Sequence, residues 1–237
     1  MSIAAAEPRQ LPLDLDWPRK RALTRADFVE GTCNAEALAA VEDWRNWTDG
    51  RLVLCGDEGC GKTHLAGIWA GLGGARFIDA AALDPAHIRD VAGLGAVVIE
   101  DVDRRLAVAD AAGGRAAAEE ALMHLFNLMG ERGGHILFTG REAPARWSVR
   151  LPDLASRLAL PPVFRVGRPD DTLLSHLFLK LFDDRDIALD PRVATFLALR
   201  AERSFRAAHA VVEALDRYSV GVKRPVTVGL AKEVFGW

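Results

Sequence analysis

Gly56-Asp57-Glu58-Gly59-Cys60-Gly61-Lys62-Thr63 has the form G-x-x-x-x-G-K-T, with an apolar run before it and a helical stretch after it. In that setting the glycines let successive backbone N–H groups curl around a phosphate, and the positive end of the helix dipole reinforces them. Lys62 then reaches the outer phosphates and Thr63 can ligate Mg²⁺. The chemistry implied is binding of ATP or ADP. Further on, the apolar run Ala96-Val97-Val98-Ile99 ends in Glu100-Asp101. Such a pair suits two tasks, holding the metal through water and polarising an attacking water. Thr139 closes the run that starts at His135 and is placed to contact the γ-phosphate or that water. Arg206, in a helical region near the C-terminus, can reach over the phosphates; Arg203 is the other candidate for that role.

These groups need a scaffold that brings strand ends together. The apolar runs Leu52–Gly56, Ala75–Ala80, Ala96–Asp101, His135–Gly140 and Val163–Val166 are brief and bounded by Gly, Pro or charge. Five such runs separated by helices predict an α/β fold, a five-stranded parallel sheet flanked by helices on both faces. The clearest connecting helix is Ala116 to Glu131, with Leu122, Leu125, Phe126, Leu128 and Met129 on one stripe. The Ala/Gly-rich stretch Ala107–Ala118 reads as a loop. After Gly167-Arg168-Pro169 only helical period remains, which predicts a small all-helical lid. Its helices start at Asp170-Asp171, at Asp190-Pro191 and after Ser204, the last directing Phe205, Ala208, Val212 and Leu215 inward; a short helix or strand covers Val226 to Trp237. The chain thus divides into a tail (1–26) punctuated by Pro8, Pro12 and Pro18, a nucleotide-binding core (27–166) and a lid (167–237).

Composition supports a globular protein and removes several classes. The 237 residues are 50% apolar and 27% charged, enough for a core and unlike disordered, collagenous or repeat sequences. The net charge of −3 excludes a broadly basic DNA-binding surface, so any DNA role is expected to be indirect. Only five of the 30 basic residues are Lys, so each Arg is weighed by position. Cys33, Cys55 and Cys60 form no C-x-x-C pair, which points to a reducing compartment, the cytoplasm. The longest uncharged stretch, Leu65–Ala75, is too short for a membrane span, and the N-terminus lacks the pattern of a signal peptide.

These motifs together resemble the AAA+ ATPases, and within them the DnaA clade. Asp27-Phe28-Val29-Glu30-Gly31 with Asn34 is similar to the clade's adenine-side entry segment, which makes Val29 a nucleotide contact. Gly61-Lys62-Thr63-His64-Leu65 is similar to its P-loop exit, which brings in His64, and Phe138-Thr139-Gly140-Arg141 to its first sensor. Leu151-Pro152-Asp153-Leu154-Ala155-Ser156-Arg157-Leu158 resembles the Hda group, the regulatory inactivators of DnaA, where the closing Arg is an arginine finger. Gln10-Leu11-Pro12-Leu13-Asp14-Leu15 looks like that group's sliding-clamp-binding motif, with Gln10, Leu11, Leu13 and Leu15 as contacts. The chain ends at Trp237 without a helix-turn-helix domain, so direct origin recognition is not expected.

The resemblance implies that Arg157 acts in trans on ATP held by DnaA, with the clamp loaded on DNA. The chain's own nucleotide, ADP in family members, would set the angle between core and lid. Two departures fit a protein with weak hydrolysis of its own. Glu100 precedes Asp101 where the class usually has Asp then Glu, and Arg141 replaces the acidic residue common after the sensor Thr. Two alternatives stay open, a self-hydrolysing motor or helicase loader and a DnaA-binding adaptor without catalytic effect. Monomer and homodimer are both compatible with the sequence.

Overall fold

The computed structural model describes residues 23–79, 88–112 and 114–237. Strands β1 (Arg51–Cys55), β2 (Arg76–Asp79), β3 (Ala96–Glu100), β4 (His135–Gly140) and β5 (Val163–Arg165) form one sheet in the order β2-β3-β4-β1-β5. All four pairings are parallel. The predicted five-stranded parallel sheet is therefore present, each strand within a residue or so of its expected bounds. The strand carrying the P-loop, β1, lies between β4 and the edge strand β5, so its C-terminal end opens between them.

Alternation along the strands divides the core into two layers, as the period of a strand requires. Val53, Val97, Ile99, Ile136 and Phe138 face one layer, formed with α3 (Ile88–Ala92), α4 (Val102–Ala111), α5 (Arg115–Glu131) and α6 (Pro152–Leu158). Leu52, Leu54, Val98 and Leu137 face the other, formed with α1 (Ala35–Glu42) and α2 (Lys62–Gly73). The predicted stripe on α5 is buried at Leu122, Leu125, Phe126 and Met129, while Leu128 is half-buried.

The stretch Ala107–Ala118 is not a loop. It holds the end of α4 and the start of α5. Val102 and Leu106, four residues apart, bury one side of α4, while its Ala and Asp residues are exposed or half-buried.

The lid packs α7 (Asp171–Asp183), α8 (Pro191–Ala198), α9 (Phe205–Val222) and α10 (Val228–Phe235) around a third apolar cluster. Each N-terminus is capped by a side chain: Asp170 accepts from Leu173 N, Asp190 from Arg192 N, Ser204 from Ala207 N and Thr227 from Leu230 N. Ala208, Val212 and Leu215 point inward as expected, and Phe205 is half-buried. Leu23 to Arg25 lie on the core, with Leu23 against Gly67, the Thr24 carbonyl 2.9 Å from His64 Nε2, and Arg25 paired to Glu30 and Glu42.

Candidate nucleotide site

The P-loop joins β1 to α2 and depends on glycine. At Gly56 (φ +153°) a Cβ would lie 2.2 Å from the Val166 carbonyl oxygen, and at Gly59 (φ +76°) 3.1 Å from Arg206 Cβ. Lys62 is buried, and its ammonium donates to Gly56 O at 2.7 Å and Asp57 O at 2.9 Å, spanning the loop. The lid presses directly on this turn, because Phe205 N donates to Gly59 O at 2.9 Å. Burial raises the Cys60 thiol above its usual pKa, so Cys60 is an inert packing group beneath the loop.

Parallel pairing sets the ends of β3 and β4 beside the P-loop. Burial pushes the Glu100 carboxyl above the usual carboxylate range, and Asp101 adds to the shift, while a hydrogen bond from the Thr63 hydroxyl and the charge of Lys62 oppose it. Thr63 and Glu100 are thus hard oxygen donors in contact, and they suit Mg²⁺. Among the described residues no three His, Cys, Asp or Glu side chains converge, so a metal here would depend on phosphate oxygens and waters. Thr139 is buried, and its hydroxyl accepts from Asp101 N at 2.9 Å, locking the two strand ends together.

A cleft of about 270 Å³ runs from the P-loop to the junction of core and lid. Lys62, Arg104, Arg141 and Arg206 line it on the phosphate side, against Glu58 and Asp101. Arg141, from the end of β4, and Arg206, from α9, both pair with Glu58 of the P-loop. Arg203 pairs with Asp171 at 2.9 Å, so Arg206 is the lid arginine that faces the cleft. Val29, Phe28 and Leu177 form an apolar wall. Asn34 shapes this entry segment, donating to Val29 O at 3.1 Å and accepting from Gly31 N at 2.8 Å. His64 lines the cleft edge-on to Phe28, and burial holds its pKa below the ordinary histidine value. Asp57 turns away from the cleft to Arg168, at 2.6 Å, where core joins lid.

Arg157 is not brought to this site. It is exposed on α6, and its side chain makes no hydrogen bond or ion pair with another described residue. Instead it lines a groove of about 890 Å³ with Gly50, Arg51, Gly134 and His135, at the N-terminal ends of β1 and β4. One strand length, roughly 16 Å, separates these ends from the P-loop. The residues Gln10, Leu11, Leu13 and Leu15 lie outside the described residues. Sequence reasoning missed Arg104 and Phe205 in the cleft and Arg45 and Arg51 in the groove, since only tertiary position marks them.

No protein-family model matches the chain. Among solved structures, domain III of the Thermotoga maritima replication initiation protein DnaA superposes with a TM-score of 0.74 at 20% identity, over 90% of this chain and 95% of that one. AMPPCP-bound DnaA from Aquifex aeolicus gives 0.66 at 15% identity, over 83% and 66%. The Thermotoga maritima RuvB Holliday junction branch migration motor gives 0.68 at 16% identity, over 91% and 73%. The chain has the DnaA-like AAA+ ATPase fold, which it shares with RuvB.

Proposed function

We propose that this protein is a regulatory inactivator of DnaA, of the Hda kind, that binds ADP or ATP with Mg²⁺ and stimulates hydrolysis of ATP held by DnaA. The observation that carries the reading is the position of Arg157. An exposed arginine whose side chain has no partner among the described residues, on a groove one strand length from the chain's own P-loop, cannot serve that P-loop and can meet a phosphate presented by a neighbouring molecule.

Such a finger adds positive charge where it develops in phosphoryl transfer, worth ~10³–10⁵ in rate in measured systems. On the chain's own side, Lys62 and the P-loop amides bind the phosphates, and Thr63 with Glu100 would hold the metal, which supplies charge neutralisation there. Arg206 and the Phe205–Gly59 hydrogen bond couple the bound nucleotide to the lid. Glu100 precedes Asp101, the reverse of the order usual in the class, which fits a nucleotide kept for structure.

The tail motif Gln10–Leu15 would tether the protein to the sliding clamp, and contact with DNA would then be indirect. The test is single-turnover hydrolysis of labelled ATP pre-bound to DnaA, with and without clamp loaded on DNA. Clamp-dependent acceleration supports the reading. Absence of acceleration, with turnover of the chain's own ATP and self-association, would favour a self-hydrolysing motor instead.

A further inference from the structure

Arg115 and Glu119 form a buried ion pair outside the nucleotide cleft. Arg115 begins α5 and Glu119 follows one turn later, 8% and 2% exposed. Arg115 Nε donates to Glu119 at 2.8 Å, and its Nη2 donates to the carbonyl of Ser148 at 2.5 Å. Glu119 in turn accepts from Arg150 N at 3.1 Å and from Leu151 N at 2.7 Å. Asp110 completes the cluster with Arg150 at 2.9 Å and Arg115 at 3.7 Å.

The bonds not spent within the pair go to one segment, 148–151, that leads into α6. Leu151 is the N-cap of α6 and has no side chain able to cap, and Glu119, from another helix, satisfies the N-cap amide itself, as the Glu of a capping box does. Ser148 sits in the left-handed region at φ +54°, and Arg115 holds its carbonyl there. At seven residues α6 is too short to be stable by itself, and only Leu154 and Leu158 bury against the core. Its direction therefore depends on its N-terminal anchor.

We infer that Glu119, braced by Arg115, is a positioning residue that fixes the axis of α6 and thereby aims Arg157. The inference rests on the reading of Arg157 as a trans-acting finger. A pair kept only for stability would be a poor choice, because buried ion pairs are often replaceable by apolar side chains without loss. Arg157 lies about 9 Å along the helix from Leu151, so a 10° tilt displaces it by roughly 1.5 Å. Displacements on the order of 1 Å can cost ~10² in rate.

The experiment compares full-length wild type, Glu119→Gln and Arg157→Ala by hydrogen exchange, ADP titration and stimulation of DnaA-bound ATP hydrolysis. Glu119→Gln should speed amide exchange across residues 150–158 by about tenfold or more while leaving the ADP Kd within about twofold. Its maximal stimulation should fall ~10–100-fold at an unchanged half-saturating concentration. Unchanged exchange in α6 would overturn the inference. So would exchange that rises across the whole chain together with the ADP Kd, since that marks a general structural role. If Arg157→Ala stimulates like wild type, the finger reading fails, and the exchange data still decide whether Glu119 orients α6. Arg115→Lys, which keeps the charge but loses the fork between Glu119 and Ser148, carries the same test if Glu119→Gln does not fold.

Discussion

Arg51 is the first residue of β1 and lies 2% exposed on the floor of the groove that Arg157 lines. Its guanidinium donates to Asp49 O at 2.7 Å, Gly134 O at 2.8 Å and Phe126 O at 3.0 Å, and it stacks over the Phe126 ring at 4.8 Å. It thereby ties the start of β1 to the start of β4 and to α5, at the end of the sheet opposite the P-loop. In Arg51→Met the Gly134 carbonyl loses its donor, at ~1–3 kcal/mol for an unsatisfied buried group, and the Phe126 carbonyl keeps only its helical bond. Part of this is offset, because burial disfavours the charged guanidinium, lowering its pKa, and leaves Nε without a partner. The net destabilisation expected is about 2–4 kcal/mol. At ~2–4 °C per kcal/mol for a chain of this size, Tm falls by roughly 5–15 °C. Arg51→Lys should recover less than half, since one ammonium cannot span three carbonyls on separate segments. Thermal melting and urea unfolding read both variants. An Arg51→Met protein melting within about 2 °C of wild type would refute the reasoning.

Glu100→Gln should stabilise the protein near neutral pH and remove the Mg²⁺-dependent part of nucleotide affinity. The folded pKa of Glu100 is raised, chiefly by burial, so its favourable contribution is complete below the unfolded carboxylate pKa of ~4.3 and is lost as pH rises through the folded value. The melting advantage of the variant should therefore vanish on acidification; an advantage that grows toward acid contradicts the assignment. Gly59→Ala forces a side chain into the left-handed region and against Ser204 and Arg206, at ~1–2 kcal/mol. Titration with a fluorescent ADP should show affinity lower by roughly 5–30-fold, and unchanged affinity with an intact fold would count against lid docking on the P-loop. Leu13→Ala should weaken clamp binding by about 10–150-fold, the loss expected from one buried leucine, without altering the ADP Kd. Undiminished clamp pull-down would remove the tether from the account.

The strands were readable because a parallel sheet buried on both faces demands unbroken apolar runs, and Ala96–Glu100 and His135–Gly140 have them. The P-loop was readable for a different reason, since its glycines meet a backbone requirement that few sequences satisfy. Strand order was not readable, because it depends on how each crossover packs. Helix α4 was missed since Val102 and Leu106 are its whole buried face and Ala, Asp and Arg dominate the rest. Arg115 and Glu119 look from the sequence like an ordinary surface pair at i, i+4 spacing, and only the approach of residues 148–151 buries them. The pairing of Glu58 with Arg141 and Arg206 joins residues 83 and 148 positions apart, beyond any local pattern.

The central claim is that Arg157 acts on a nucleotide this chain does not hold. The direct measurement is release of labelled phosphate from ATP pre-bound to DnaA, with clamp on DNA and this protein loaded with unlabelled ADP. Wild type should accelerate release, and Arg157→Ala should lose ~10³-fold or more of the accelerated rate while binding ADP and clamp as before. Equal acceleration by the Arg157→Ala protein would contradict the account.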